Sequence, residues 1–258
     1  MSDESDIEDD PKRESIIISR DSSNKLALPP KQDLDAVSEV SDQDDNIELS
    51  IHQAAREGAI EKIKEEAKKS GIDFLKYVDQ LNPENQAPIH LAARYNRTEV
   101  IKYLVEEGAW IDIPGEDKNT PLHIAVKYDC TEAAKTLIRL GANCTSKNFY
   151  GQTALHFACR RGNSEVCTML VSYANIDVNG VDNSTATPLH MAVVGGNKNV
   201  VTILLRHNAS IYVVDDEGQY PLHIAASEGQ AELIPILYNA SKLRSNTQLC
   251  PQAYFSAF

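Results

Sequence analysis

The chain has 258 residues, a hydrophobic fraction of 42% and a net charge of −13. Residues 1–50 hold 15 acidic and 5 basic side chains, which leaves 23 acidic and 20 basic side chains for residues 51–258. The long second part is therefore near neutral, which argues against nucleic acid as a partner because phosphate binding needs a basic surface. No run of residues approaches the ~18 apolar residues of a membrane-spanning helix, so we expect no direct membrane insertion of this chain.

Residues 1–46 form the first predicted segment, an acidic tail that we expect to be disordered. They are rich in Asp, Glu and Ser, and their apolar runs at residues 16–18 and 26–30 are too short to offset the entropy of ordering. Ser5 and Ser41 are each followed by acidic residues, the surroundings that an acidophilic kinase accepts, and are candidates for phosphorylation. The alternative is that these serines are merely polar groups of a solvated tail.

Six of the seven histidines recur at a nearly fixed interval and define the next segment. They lie at positions 52, 90, 123, 156, 190 and 223, at intervals of 38, 33, 33, 34 and 33 residues. Self-similarity at this period is the signature of a repeat array. The motifs around them, such as Thr120–His123 and Thr187–His190, read Thr-Pro-Leu-His. Thr is a good helix N-cap and Pro is favoured at the first helical position, so each motif predicts the start of a helix.

These motifs resemble the T-P-L-H-x-A signature of the ankyrin family, over about 190 residues. The resemblance implies an all-α solenoid of about five to six helix-turn-helix repeats, joined by extended turns, over residues 47–240. It also implies that the histidine satisfies hydrogen bonds at the helix start. Residues 241–258 are expected to be a C-terminal tail without a clear repeat. The motif residues are His90, Thr120, Pro121, His123, Thr153, His156, Thr187, Pro188, His190, Pro221 and His223.

The last expected helix contains Pro235. A proline inside a helix removes a hydrogen bond, so we expect this helix to be shortened or kinked.

The regular histidines do not predict a metal or catalytic site. Stacked helices lie about 8–10 Å apart, so equivalent histidines cannot share one ion with bonds of about 2 Å. The sequence contains no P-loop, H-E-x-x-H or nucleophile-elbow motif. We therefore expect a protein that is not an enzyme and that uses no cofactor or metal.

The cysteines point to a reducing compartment. They are five in number and form no C-x-x-C pair, and the chain starts without a secretory signal, which together predict a cytoplasmic location. Cys159 and Cys167 fall on the two helices of one repeat. We expect them to be small buried hydrophobes or, alternatively, a redox-sensing pair.

One set of side chains predicts a binding groove. The position four residues after the histidine carries Arg56, Arg94, Lys127 and Arg160, and the following position carries Tyr95, Tyr128 and Arg161. On an ankyrin solenoid these positions lie along the concave side, so we expect a positive and partly aromatic groove. An acidic or phosphorylated protein segment, including the chain's own tail, would fit it. The alternative is a family feature without a specific partner, because basic residues are common at this position in ankyrin repeats.

Four aromatic residues are further candidates for partner binding, at turn tips: Trp110, Phe149, Tyr150 and Tyr212. Tryptophan and tyrosine are enriched at binding hot spots. For Trp110, packing against the neighbouring turn is an equal alternative.

Together these features predict a non-catalytic scaffold or adaptor that binds other proteins on its concave face and turn tips. A second resemblance offers an alternative, because Ser50–Glu66 is similar to the opening repeat of the N-terminal ankyrin array of TRPA-type cation channels. Such channels have many more repeats and six membrane spans, which this sequence lacks. The resemblance therefore implies only a family origin, as the cytosolic N-terminal portion or a truncated product of a channel, with membrane association in that context alone.

Overall fold

The computed structural model describes residues 51–70, 78–173 and 176–245, and these ranges contain twelve α-helices and no strand. The prediction of an all-α ankyrin solenoid is confirmed, with six helix pairs in the described residues. The predicted tail at residues 1–46, with Ser5 and Ser41, lies outside the described residues.

Each pair consists of a short first helix that carries the motif histidine and a second helix that follows after a tight turn. The first helices are α1 (Ile51–Glu57), α3 (Pro88–Arg94), α5 (Pro121–Lys127), α7 (Ala154–Arg161), α9 (Pro188–Val194) and α11 (Pro221–Ser227). The second helices are α2 (Ile60–Ser70), α4 (Thr98–Glu106), α6 (Thr131–Arg139), α8 (Ser164–Val171), α10 (Lys198–Arg206) and α12 (Leu233–Ser245).

The core is continuous because every pair packs on its neighbours. First helices contact the first helices before and after them, and second helices do the same. Alanines on the first helices, such as Ala92, Ala125 and Ala158, are fully buried and allow this close approach, while Leu104, Leu137 and Leu204 fill the space between second helices. A single pair could not bury these faces alone, as is typical of a solenoid.

Extended turns join one pair to the next, and we call them fingers: residues 79–86, 111–119, 144–152, 177–186 and 211–219. Backbone hydrogen bonds link consecutive fingers. The N–H of Phe149 donates to the Asp117 carbonyl (2.7 Å), and the N–H of Asn183 donates to the Tyr150 carbonyl (3.0 Å). Three or more fingers therefore stay aligned side by side.

The motif histidine caps the first helix by a route that adds to the predicted one. The Thr hydroxyl accepts a first-turn N–H, as expected, at Thr187, where the His190 N–H donates to it (3.4 Å). At Thr120 the backbone N–H donates to Nδ1 of His123 (3.1 Å), and the Thr120 hydroxyl points to the same nitrogen (2.8 Å). The N–H of Ala87 makes the equivalent bond to His90 (3.1 Å), although alanine has no capping group. The imidazole is thus the main cap, which explains why the Thr position tolerates replacement.

The other ring nitrogen reaches the next repeat. Because Nδ1 accepts a backbone N–H, the neutral ring carries its proton on Nε2 and donates it to a carbonyl of the following finger. The bonds run from His90 to Asn119 (3.0 Å), from His123 to Gln152 (3.1 Å), from His190 to Gln219 (3.2 Å) and from His52 to Gln80 (2.8 Å) and Gln86 (3.1 Å). We call this contact the histidine bridge.

Two histidines depart from this pattern. His156 is buried, yet its Nε2 has no hydrogen-bond partner among the described atoms. The interval from His156 to His190 is one residue longer than the intervals on either side, so the next finger is not in the usual register. His223 is exposed, unlike His90, His123 and His190, because no described finger follows the last pair to cover it.

Pro235 does not interrupt the last helix, so that prediction was wrong. The helix α12 has 13 residues and continues to Ser245, beyond residue 240 where we expected the array to end. Pro235 lies in its first turn, where backbone N–H groups have no partner within the helix and a missing N–H costs nothing. The proline only delays the start: α12 begins ten residues after its histidine, whereas α4 and α6 begin eight residues after theirs.

Removing one bridge should destabilise the array. We expect His190→Ala to lower the free energy of unfolding in urea by about 1–3 kcal/mol, because the Thr187 N–H and the Gln219 carbonyl lose their buried partner. The matched control is His223→Ala, which removes the same side chain from an exposed site. Its loss should stay below about 1 kcal/mol, and equal losses in the two variants would contradict the role of the bridge.

The buried histidines should also make stability depend on pH. Burial is the main cause that lowers the pKa of His90, His123 and His156 from 6.5 to about 4. A lowered native pKa leaves stability intact above pH 6.5, and stability falls between pH 6.5 and 4 because the unfolded chain binds protons that the native state cannot. We expect losses on the order of 1–2 kcal/mol per histidine between pH 7 and 5. Urea titrations should show a shallower decline in His123→Gln, and a flat profile in the wild type would contradict this expectation.

Candidate functional site

The residues predicted to form a groove do come together, as a column at the ends of the first helices. The Arg56 guanidinium lies 5.1 Å from the Tyr95 ring centroid, and the Arg94 guanidinium lies 5.7 Å from Tyr95 and 4.5 Å from Tyr128. The Lys127 ammonium lies 6.0 Å from the Tyr128 ring. Cations and rings therefore alternate across three repeats, within the range of cation–π attraction. We call these five residues the cation–tyrosine ladder.

The ladder cations are not neutralised within the described part of the chain. Arg56, Arg94 and Lys127 form no ion pair with any described carboxylate. The adjacent Glu57 accepts from Gln53 (2.8 Å) and pairs with Lys62 (3.5 Å). Its pKa is lowered first by the Gln53 hydrogen bond and last by the Arg56 charge, so Glu57 compensates Arg56 only weakly. The positive charges of Arg94 and Lys127 thus remain available to a ligand.

Arg160 and Arg161 continue the column in the fourth repeat. Both side chains are half-buried, and Nε of Arg161 is buried without a hydrogen-bond partner among the described atoms. Burial and then the neighbouring Arg161 charge lower the pKa of Arg160. Negative charge placed here would stabilise both guanidinium groups.

The backbone at this end of α7 is fixed by the next repeat. Asn197 donates from its amide to the carbonyls of Cys159 (3.0 Å) and Arg160 (3.1 Å). The Asn197 side chain fits there because Gly162 has no Cβ; a Cβ at this position would lie 2.2 Å from Asn197 Oδ1. Gly162 also has a positive φ of 76°, which favours glycine. The two arginines are therefore presented from a rigid helix end.

One cation at this surface was missed by sequence reasoning. Arg97 precedes α4, outside the position compared between repeats, and its Nε donates to the Arg56 carbonyl (3.0 Å). It brings another exposed guanidinium next to the first residue of the ladder. Comparing equivalent positions could not find it, because the equivalent residues are Cys130, Asn163 and Asn197.

The four candidate aromatic residues do not form one site. Phe149 and Tyr150 lie at a finger tip with their rings 5.5 Å apart, and they are 62% and 47% exposed. Trp110 is 56% exposed but lies at the base of another finger, where its backbone N–H donates to Asp79 Oδ1 (3.0 Å). Tyr212 lies at the base of the last finger, with its hydroxyl 3.4 Å from the Ser241 carbonyl. Only Phe149 and Tyr150 form an exposed aromatic pair among these four.

The two thiols of the fourth repeat are adjacent but shielded. The Sγ atoms of Cys159 and Cys167 lie 3.9 Å apart, and both residues are fully buried. Burial, followed by the contact with Cys167, raises the pKa of Cys159 well above its usual value. Because the thiolate is the reactive form, this environment favours the interpretation as buried hydrophobes.

Two other kinds of site are absent from the described residues. No group of three or more His, Cys, Asp or Glu side chains there could hold a metal ion. None of the described helices has the length and apolar character needed to cross a membrane.

Comparison with known proteins places this geometry in a family. The family described as ankyrin repeats in three copies matches residues 51–148 and 140–215, and the one described as ankyrin repeats in many copies matches residues 195–237. In solved structures, an ankyrin repeat domain from Acinetobacter baumannii AYE superposes with a TM-score of 0.65 and 27% identity, covering 76% of this chain and 99% of that one.

Curated relatives share the repeats over parts of their length. The probable 26S proteasome regulatory subunit p28 of Saccharomyces cerevisiae is 38% identical over 94 residues, which is 35% of this chain and 40% of that protein. Human ankyrin repeat domain-containing protein 13C is 42% identical over 64 residues, 25% of this chain and 12% of that protein. The Notch-regulated ankyrin repeat-containing protein of Xenopus tropicalis is 31% identical over 94 residues, 35% of this chain and 82% of that protein. Given the six helix pairs and these matches, the chain belongs to the ankyrin-repeat family.

Proposed function

We propose that the chain is a non-catalytic scaffold that binds an acidic or phosphorylated segment of another protein along the cation–tyrosine ladder. The observation that carries this proposal is the alternation of Arg56, Tyr95, Arg94, Tyr128 and Lys127 without a described ion pair. The motif histidines are occupied as caps and bridges, which supports a structural role for them over a chemical one.

The ladder suits carboxylate or phosphate groups for a physical reason. A guanidinium stacked on a tyrosine ring keeps its planar N–H edges free for bidentate bonds to an anion. Stacking also fixes the side chain before the ligand arrives, so less conformational entropy is lost on binding. The neighbouring Arg160 and Arg161 extend this surface toward the fourth repeat, which suits an extended segment better than a single small anion.

The relatives support a binding role in general terms. One of them is named as a regulatory subunit of the proteasome, and this chain shares repeats with it over 94 residues. An array used within an assembly is consistent with a scaffold. None of the relatives described above is named as a cation channel, so the channel origin stays a prediction from the resemblance of Ser50–Glu66, as does the cytoplasmic location.

A pair of synthetic peptides tests the ladder. The acidic peptide has twelve residues with glutamate at every third position and serine or threonine between, because three extended residues span about 10 Å, close to the spacing of stacked repeats. We expect the wild-type chain to bind this peptide, and we expect the ladder to repel a peptide with arginine in place of glutamate. Fluorescence anisotropy at low and high salt gives the affinities.

The decisive variant is Arg94→Glu, because Arg94 contacts both tyrosine rings. We expect Arg94→Glu to lower the affinity for the acidic peptide by at least about tenfold, since an attraction becomes a repulsion at the centre of the ladder. Arg139→Glu, an exposed change of equal charge on the second helix α6, is the matched control and should alter affinity by less than about twofold. An equal loss of affinity in the two variants would mean that only the net charge of the chain matters, which would contradict the proposal.

The chain's own residues 1–50 carry a net charge of −10 and, as an acidic segment that fits the groove, would compete with the peptide for it. Deleting residues 1–50 and measuring the affinity for the same acidic peptide tests this competition. Tighter binding by the shortened chain supports competition, and unchanged binding contradicts it.

A further inference from the structure

We propose that the array has a second binding surface, at the finger tips around Phe149 and Tyr150, which takes a basic, arginine-bearing segment of a partner protein. This surface is separate from the cation–tyrosine ladder, and its occupant has the opposite charge. The proposal therefore goes beyond the function proposed above and does not depend on it.

The fold does not require aromatic residues at this tip. In the following finger the equivalent residues are Asn183 and Ser184, and in the preceding finger they are Glu116 and Asp117. All of these tips have the same backbone link to a neighbouring finger, so polar side chains serve equally well there. Packing therefore does not explain two adjacent aromatic residues that are 62% (Phe149) and 47% (Tyr150) exposed.

The aromatic tip is also held rigidly. Asn148 Oδ1 accepts from the N–H groups of Tyr150 (3.0 Å) and Gln152 (2.9 Å), which closes the turn. The Phe149 N–H is bonded to the preceding finger, and the Asn183 amide donates to the Phe149 carbonyl from the following one (3.0 Å). A pre-organised aromatic pair loses little entropy on binding, which is typical of hot-spot anchors.

Charge selects the occupant. The five fingers together hold 10 acidic and 2 basic residues, a net of −8, while the remainder of residues 51–258 holds 13 acidic and 18 basic residues. The rings lie inside this acidic zone. The backbone bond from Phe149 to Asp117 places Glu116 and Asp117 on the adjoining finger tip. Burial first, and then the negative charges of Asp117 and Glu116, raise the pKa of Tyr150. On the other side, the Asp216 N–H is bonded to Ser184 one finger further on.

An arginine side chain matches both parts of this surface. Its guanidinium stacks on aromatic faces and pairs with carboxylates, whereas an acidic segment would be repelled here and drawn to the ladder. One of the two finger lysines, Lys147, donates to the Val181 carbonyl (2.9 Å), so its ammonium is directed to a neighbouring finger. Stacked helices repeat about every 8–10 Å, a distance that about three residues of an extended partner span.

The test uses the whole chain and the arginine peptide, twelve residues with arginine at every third position. The variant Phe149→Asn with Tyr150→Ser copies the following finger, so the turn keeps a side-chain pair that this fold already accommodates. We expect this variant to lower the affinity for the arginine peptide by at least about fivefold, while its melting temperature stays within a few degrees of the wild type. Glu116→Gln with Asp117→Asn should also weaken arginine-peptide binding and reduce its salt dependence.

Three outcomes would overturn the proposal. The first is equal affinity of the wild type and the Phe149→Asn, Tyr150→Ser variant for the arginine peptide. The second is equal binding of a peptide with leucine in place of arginine, which would make the tip a purely apolar site. The third is concentration-dependent self-association in sedimentation that the tip variant abolishes, which would make a second copy of the chain the occupant.

Discussion

The histidine bridge is the contact on which the rest of the array depends. One imidazole accepts the N–H that starts the first helix and donates to the carbonyl of the finger 29 residues later, as in His90 with Asn119 and His123 with Gln152. Because one buried ring is hydrogen-bonded both to the start of a helix and to the next finger, the helices and the fingers share one register. That register puts Arg94 between two tyrosines of adjacent repeats, and it aligns Phe149 with Asp117 of the neighbouring finger.

Much of this architecture could be predicted because it repeats. The spacing of the histidines predicted the helix pairs, and equal positions after each histidine predicted the column that includes Arg94 and Lys127. What failed was specific to single repeats. The exposure of His223 depends on which residues follow it in space, and the harmless position of Pro235 depends on a helix start two residues late. Arg97 reaches the ladder from a position whose equivalents in other repeats, such as Cys130 and Asn163, carry no charge.

The repeats also separate charge in a way that the total charge conceals. Residues 51–258 are near neutral, yet the fingers are acidic and the helix ends are basic. The fold tolerates this separation because the charged groups are solvated, stacked or hydrogen-bonded: Glu116 and Asp117 lie at exposed tips, and Arg56 lies over a ring. The buried Asp182 accepts the N–H groups of Ser184 and Ala186. A solenoid suits such a surface, since residues at equal positions form rows and each repeat contributes one side chain to every row. Two rows of opposite sign would allow the array to hold two segments at once.

The protonation state of the motif histidines tests the bridge most directly. Nitrogen-15 NMR of the labelled protein at pH 7 distinguishes a ring that carries its proton on Nε2 from one that carries it on Nδ1. We expect His90, His123 and His190 to be neutral with the proton on Nε2, because Nδ1 accepts the N-cap N–H in each. A proton on Nδ1, or titration of His90 and His123 near pH 6.5, would contradict the bridge as the contact that sets the register.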